Sequence, residues 1–282
     1  MIILKYVADV KARLNKIRSA KSSLGFVPTM GALHKGHISL LDKCKETCEI
    51  TISSIFINPT QFNNADDFKK YPVTLENDIY LLEKNGCDIL FLPEVNEMYP
   101  EGIVSKKHFD LGYLENILEG KYRPGHFQGV CQVVKRLLEI VVPTHLFLGQ
   151  KDYQQCMVIK KLLEKEKLNI ELIICPTLRE KSGLAMSSRN LRLNEEQLQK
   201  ASEINKILIR LKQKIKPGNV SHLKKEATEY LSNKNFKPDY VEIAEANNLR
   251  TVDEWNGTTE LVALVAASIS DVRLIDNILL KD

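Results

Sequence analysis

The sequence predicts an α/β protein: a Rossmann-like parallel sheet flanked by helices, with a smaller C-terminal α+β domain. From Leu24 onward short apolar runs alternate with amphipathic stretches, the pattern of buried strands joined by covering helices. After about Pro176 that alternation gives way to long amphipathic stretches followed by β-branched runs. The length of 282 residues, near twice a common domain, accommodates both parts, and we expect domains at 1–176 and 177–282.

Five strands are expected in the first part, at 25–28, 50–57, 88–92, 145–148 and 170–175. Each is rich in Val, Ile, Leu or Phe and short enough to be buried on both faces. Helices are expected between them at 36–48, 74–85, 128–141 and 152–165. Thr74 with Asn77 and Asp78 behind it reads as a helix start, and Asn85-Gly86 as the stop. Two stretches break the rhythm, 58–71 and 93–127; loops at the ends of parallel strands are where open sheets hold their ligands. In the second part, 194–214 reads as one long helix ended by Pro217-Gly218, a second helix follows at 220–231, and strands are expected at 240–244, 261–269 and 272–275.

A hydrophobic share of 44% with 27% charged residues argues against disorder, and a net charge of +4 is too slight to imply nucleic acid or membrane as a partner. The lysine-rich stretches 206–216 and 224–225 read as solvated helix faces, since no aromatic residues interleave with them as in a nucleic-acid-binding module. The six cysteines contain no C-x-x-C pair and lie mostly in apolar surroundings, so reduced, buried thiols are expected. Cys44 and Cys48, one helical turn apart, lack the second pair that a zinc site needs. Residues 1–5 are followed at once by Asp9, Lys11, Arg13 and Lys16, unlike a signal peptide, and no run approaches a membrane span of roughly 20 apolar residues. A cytoplasmic protein is the expectation.

Four segments carry chemistry. PTMGALHKGHISLL (28–41) leaves a predicted strand, turns through Gly31 and Gly36, and enters a helix with two histidines three residues apart. Glycine permits close backbone approach, and free amides at a helix N-terminus attract phosphate. His34 and His37 beside such an anion can donate to phosphate oxygens that gain charge during nucleotidyl transfer. No Walker A loop and no G-x-G-x-x-G occurs, which argues against kinase and dinucleotide chemistry. GLAMSSRN (183–190) offers Ser187, Ser188 and Arg189 to a polyphosphate, with a helix cap before Asn194 as the alternative. FLGQKDYQQ (147–155) stands at the exit of the fourth strand, where Lys151 can meet phosphates, Asp152 can accept from ribose hydroxyls and Gln155 projects one turn further. An ordinary N-cap at Asp152 is the plain alternative. NPTQF (58–62) ends the second strand with Gln61, whose amide can both donate to and accept from a small polar substrate.

The His-x-Gly-His turn is similar to that of the nucleotidyltransferase superfamily that includes class I aminoacyl-tRNA synthetases, and GLAMSSRN resembles its mobile KMSKS-type loop. PTMGALHKGH, FINPTQF, GHFQGVCQVVKRL, FLGQKDYQQ and GLAMSSRN, in that order, resemble the pantothenate synthetase (pantoate–beta-alanine ligase) family over essentially the whole chain. The resemblance implies an ATP-dependent ligase that converts (R)-pantoate and β-alanine to pantothenate through pantoyl adenylate, releasing AMP and pyrophosphate. It implies an ATP site at Met30, Gly31, Ala32, Leu33, His34, Lys35, Gly36, His37, Gly149, Gln150, Lys151, Asp152, Leu178, Met186, Ser187, Ser188 and Arg189. His37, His34, Lys151 and Arg189 would act on the phosphates, His37 standing at the family's proton-donor position. Gln61 and Gln155 match pantoate-binding glutamines, Gln61 also facing β-alanine, with Asn58, Tyr71 and Arg123 as further substrate-site residues. Mg²⁺ is expected to accompany ATP on its phosphate oxygens, its protein ligands unassigned; Asp78 or the Asp66-Asp67 pair would give at most an outer contact, against ordinary helix-start and loop roles. A homodimer with a closing C-terminal domain is also implied. The sequence departs from the family pattern at Val73, where Arg is usual, and at Ser182, where an acidic residue is common. Another adenylyl- or cytidylyltransferase of the same fold is the rival reading.

Overall fold

The apolar runs do pair into a parallel sheet, but with one strand more than expected. The computed structural model describes residues 1–18, 22–103 and 107–280, so 104–106 of the stretch expected at 93–127, and the last two residues of 177–282, lie outside the described residues. The chain divides into two compact units, Met1–Gly149 with Val158–Pro176, and Gln150–Met157 with Thr177–Asp282.

The first part runs β1 (Ile2–Leu4), α1 (Val7–Arg18), β2 (Leu24–Thr29), α2 (Lys35–Thr47), β3 (Ile50–Ile55), α3 (Ala65–Lys69), α4 (Leu75–Lys84), β4 (Ile89–Phe91), α5 (Val95–Met98), α6 (Leu118–Tyr122), α7 (His126–Val141), β5 (His145–Gly149), α8 (Tyr153–Lys165) and β6 (Glu171–Cys175). The sheet order is β1-β4-β3-β2-β5-β6, all parallel, and β2 pairs with β3 in register from Leu24↔Ile50 to Thr29↔Ile55. β1 is the unexpected strand: three residues beside β4 at the sheet edge, with Ile2 and Ile3 exposed, leave too short a run to show a period.

Strand order reverses between β2 and β5, and open α/β sheets hold ligands at the carboxyl ends of the strands flanking such a switch. One side of the sheet packs Val27, Leu40, Cys44, Cys48, Phe147 and Cys175; another cluster joins Leu33, Leu41, Ile55, Leu82, Cys87 and Leu90. Burial of each such Leu, Ile or Phe contributes about 1.5–3 kcal/mol. α2 lies so close to β2 that a Cβ on Gly25 would fall 2.2 Å from the Cys44 sulfur. All six cysteines are free and buried, as expected. Burial pushes the Cys87 thiol up to about 11 and Cys131 to about 12, which suppresses the reactive thiolate.

The second part contains α9 (Glu195–Ala201), α10 (Glu203–Lys214), β7 (Gly218–Asn219), α11 (Ser221–Asn233), β8 (Lys237–Glu245), β9 (Glu254–Trp255), β10 (Leu261–Ile269) and β11 (Val272–Leu279). Its antiparallel sheet, ordered β11-β10-β8, buries nearly all of β10, and Ile204, Ile207, Leu208 and Leu211 of α10 join the same core. The single helix expected at 194–214 is two. The Ser202 hydroxyl donates to the Gln199 carbonyl at 2.7 Å and its amide to the same oxygen at 3.4 Å, and such local bonding competes with the helical ladder. The lysine-rich faces are neutralised locally: Lys206 by Glu203, Lys214 by Glu226, and Lys224 by both Glu242 and Asp253.

Candidate active site

β2 leads into the histidine turn through Gly31 (φ +84°) and Ala32 (φ +49°), and His34 is the N-cap of α2. The His34 Nδ1 accepts from the Gly36 amide at 3.1 Å, and the His37 Nδ1 accepts from the His34 amide at 3.2 Å. This is a reciprocal capping box built from two imidazoles. A backbone N–H can only donate, so both Nδ1 atoms are unprotonated and each neutral ring carries its proton on Nε2. The rings lie 4.1 Å apart, centre to centre.

Asp78, 1% exposed, holds this turn from α4. Its Oδ2 accepts from the Ala32 amide and its Oδ1 from the Leu33 amide, both at 2.8 Å, while the Thr74 hydroxyl donates to Oδ1 at 2.9 Å. From the sequence, Asp78 has an ordinary helix-start role, and free amides are expected at the N-terminus of the helix that carries the histidines. The amides of Ala32, Leu33, His34 and Gly36 have acceptors inside the protein, and the Thr74 hydroxyl serves Asp78 rather than the N-terminus of α4. Met30, Gly31, Ala32, Phe56, Thr74 and Asp78 also line a cavity of about 470 Å³. Val73, at its rim, is 72% exposed.

Gln61 closes a 3-10 turn, Pro59–Gln61, at the exit of β3. Asn58, 1% exposed, is engaged on both ends: its Oδ1 accepts from the Tyr99 hydroxyl at 2.7 Å, and its Nδ2 donates to Gln61 Oε1 and to the Gly129 carbonyl, both at 3.2 Å. Burial pushes the Tyr99 phenol up to about 12, which keeps it a donor. Gln61 Nε2 lies 2.7 Å from the Met30 sulfur, which brings the expected substrate amide and the histidine turn together. His126 donates from Nδ1 to the Gln61 carbonyl at 2.7 Å and accepts at Nε2 from Arg123 at 3.1 Å. Arg123 also faces Glu119 at 3.7 Å, so its guanidinium braces this corner. Tyr71 is buried edge-on against Phe62.

The second unit carries the rest of the expected set. Gln150–Asp152 form a 3-10 turn in which the Lys151 ammonium meets the Asp152 carboxylate at 3.2 Å. Asn277 of β11, 2% exposed, donates to the carbonyls of Gln150 and Lys151, both at 2.9 Å, and the Tyr153 hydroxyl donates to the Ala246 carbonyl. Residues 150–157 belong to the second compact unit, while the sequence expectation set the domain boundary after 176. Arg179 makes a bidentate pair with the buried Asp276 at 2.6 and 3.0 Å and donates to the Gly183 and Asn277 carbonyls. The Met186 amide donates to the Leu178 carbonyl at 3.0 Å. Ser187 caps the 3-10 turn Ser188–Arg192 by accepting from the Arg189 amide, whereas α9 is capped by Asn194. Gly183 (φ +90°) lies against Asn205, and the Ser182 hydroxyl accepts from the Leu184 amide. Gln155 is half-buried in the first turn of α8.

A profile of the Pantoate-beta-alanine ligase family matches residues 2–279. The chain belongs to this family. It is 43% identical to the pantothenate synthetase of Cytophaga hutchinsonii over 99% of both chains, and 39% identical to that of Bacteroides fragilis over the full length of both. The crystal structure of pantothenate synthetase from Thermus thermophilus superimposes with a TM-score of 0.91 at 36% identity, covering 100% of both chains. That of pantoate-beta-alanine ligase from Francisella tularensis, complexed with beta-gamma ATP and beta-alanine, gives 0.82 at 38% identity, covering 100% of this chain and 98% of the other.

Three supporting groups of this ligase depend on partners distant in the sequence. The amide partners of Asp78 lie 46 and 45 residues away. His126, in GHFQGVCQVVKRL, meets the Gln61 carbonyl 65 residues earlier. Asp276 and Asn277 are buried polar residues within a strand, a signal available in the sequence pattern. Among the described residues no group of three or more His, Cys, Asp or Glu side chains is placed to hold a metal ion, and no helix is long and apolar enough to cross a membrane.

Proposed function

We propose that this ligase joins (R)-pantoate to β-alanine in two steps. A pantoate carboxylate oxygen attacks the α-phosphorus of ATP, the bond to the β-phosphate breaks, and pyrophosphate leaves. The β-alanine nitrogen then attacks the carbonyl carbon of pantoyl adenylate, the bond to AMP breaks, and the nitrogen loses a proton to give the amide. A free carboxylate does not acylate an amine at neutral pH; the mixed anhydride supplies the leaving group, and enclosure limits its hydrolysis.

The observation that carries the reading is the imidazole capping box at the exit of β2, beside the strand-order reversal, in a chain of this family. With Nδ1 of each ring occupied by a backbone amide, His34 and His37 serve as neutral Nε2–H donors to phosphate oxygens. His37 therefore stabilises developing charge rather than delivering a proton. Lys151, Ser187, Ser188 and Arg189 contribute the cationic and hydroxyl donors, with Gly149, Gln150, Asp152, Leu178 and Met186 completing the ATP contacts. Gln61 and Gln155 bind pantoate; Asn58 and Arg123 act by holding Gln61 and His126.

Mg²⁺ would accompany ATP and offset part of its phosphate charge. The residues fit this arrangement, since Asp78, which holds the histidine turn, is already filled by two amides and a hydroxyl. The enzyme works in the cytoplasm as a homodimer, and its second domain closes when ATP and pantoate bind.

The test is product identification from ATP, pantoate and β-alanine, omitting each in turn. AMP, pyrophosphate and pantothenate are expected together, with ATP–pyrophosphate exchange when β-alanine is omitted. ADP in place of AMP, or exchange with another acid but not pantoate, overturns the proposal.

A further inference from the structure

The histidine turn has a carboxylate built into its support. An anion beside a polyphosphate site opposes ATP electrostatically, so its presence calls for a geometric reason. Asp78 spans the two amides just before the N-cap, Ala32 on one oxygen and Leu33 on the other. Ala32 has φ +49°, a conformation that side chains disfavour and that surrounding structure must enforce. A Cβ on Gly31 would stand 3.1 Å from Asp78 Oδ2, so the carboxylate also packs against the turn. Immediately beyond, the His34 amide donates to His37 Nδ1.

We infer that Asp78 is a positioning residue for adenylation: by fixing the Ala32 and Leu33 amides it aims the His34 amide at His37 Nδ1, and so holds the His37 proton on Nε2, where a phosphate oxygen can use it. The carboxylate touches no reacting atom and acts through His37. This rests on the reading of the turn as a phosphate site, which ATP–pyrophosphate exchange by the parent enzyme tests separately.

The experiment uses full-length Asp78→Asn. The amide keeps the shape of the side chain but retains one acceptor for two backbone donors. Exchange supported by pantoate is expected to fall about tenfold or more, with the pantoate KM within about twofold of the parent. In parent protein the ¹⁵N resonances of His37 report an unprotonated Nδ1; in the variant they move toward a mixture of tautomers. Half-saturation by Mg²⁺ stays where it is in the parent. If Asp78→Asn does not fold, Thr74→Val removes the hydroxyl that donates to Asp78 Oδ1 and is expected to give the same signature in weaker form. Parent-like exchange in a folded variant, unchanged His37 resonances, or recovery of the rate at high Mg²⁺ overturns the inference, the last by making Asp78 a metal contact.

Discussion

Gly129→Ala tests how Gln61 is held. On α7, a Cβ at this position would lie 2.2 Å from the Thr60 carbonyl oxygen, 2.5 Å from its carbon and 2.7 Å from the Gln61 nitrogen. These are backbone atoms, and no rotamer change relieves the contact. Reaching an ordinary separation requires the turn to move from α7 by about 1 Å. That shift stretches two bonds that fasten the turn, Asn58 Nδ2 to the Gly129 carbonyl at 3.2 Å and His126 Nδ1 to the Gln61 carbonyl at 2.7 Å. Overpacking and two weakened buried hydrogen bonds together cost about 3–4 kcal/mol of stability. With Gln61 orienting pantoate as proposed, a displacement of this size lowers kcat/KM for pantoate about 100-fold. Urea unfolding and initial rates measure the two effects, with the affinity for ATP as an internal reference. A variant with parent unfolding free energy and pantoate kcat/KM within about twofold refutes the argument that α7 sets the position of Gln61.

Three further outcomes follow from the geometry. Lys151→Ala retains the fold and loses about 100-fold or more in single-turnover adenylation, because a cation is withdrawn from the charge developing on phosphate; an unchanged rate sinks that role. Arg179→Met leaves the 4%-exposed Asp276 carboxylate without its bidentate partner and destabilises the protein by about 3–5 kcal/mol in thermal or denaturant unfolding, whereas a neutral effect means the pair contributes little. Native protein reacts slowly with a thiol reagent at pH 8, since burial holds Cys87 near 11 and Cys131 near 12 and the thiolate is scarce well below those values; all six thiols react once the chain is unfolded, and rapid labelling of the native protein contradicts the burial.

What could be read in advance tracks the range of the interactions. β2, β3 and β5 are apolar runs buried along several successive residues, so local pattern locates them. β1 is set by pairing with β4, 87 residues away in register. The histidine turn was legible as a motif because glycines and histidines share a short segment, but its internal chemistry was not. Asp78 holds the Ala32 and Leu33 amides from a helix contributed much later in the chain, while the His34 and Gly36 amides are held by the two imidazoles. The glutamine at 61 was likewise visible while its fastening was not, since His126 and Gly129 approach it from α7. The break at Ser202 was missed for the opposite reason: the interaction is local, yet a side chain that bonds backward to Gln199 leaves the hydrophobic period of 194–214 intact.

The histidines themselves supply a last discrimination, because the backbone assigns opposite tautomers at two places. At His37 the Nδ1 accepts from an amide, and Nε2 keeps the proton. At His126 the Nδ1 faces a carbonyl and must donate, which leaves Nε2 to accept from Arg123. An Asn carboxamide reaches about as far as Nδ1 and a Gln carboxamide about as far as Nε2, so the two substitutions separate the two ends of each ring. His37→Asn preserves the acceptor of the capping box and the stability to within about 0.5 kcal/mol, but loses the phosphate donor and about 100-fold in adenylation. His37→Gln keeps a donor at the outer end, retaining more of the rate, while giving up about 1 kcal/mol of cap. At position 126 stability ranks the pair by the other need: Asn donates to the Gln61 carbonyl and holds the turn, whereas Gln leaves that buried carbonyl unsatisfied at a cost of about 1–3 kcal/mol. If Gln supports adenylation no better than Asn at position 37, or stabilises position 126 as well as Asn does, the tautomers are not the ones the backbone dictates.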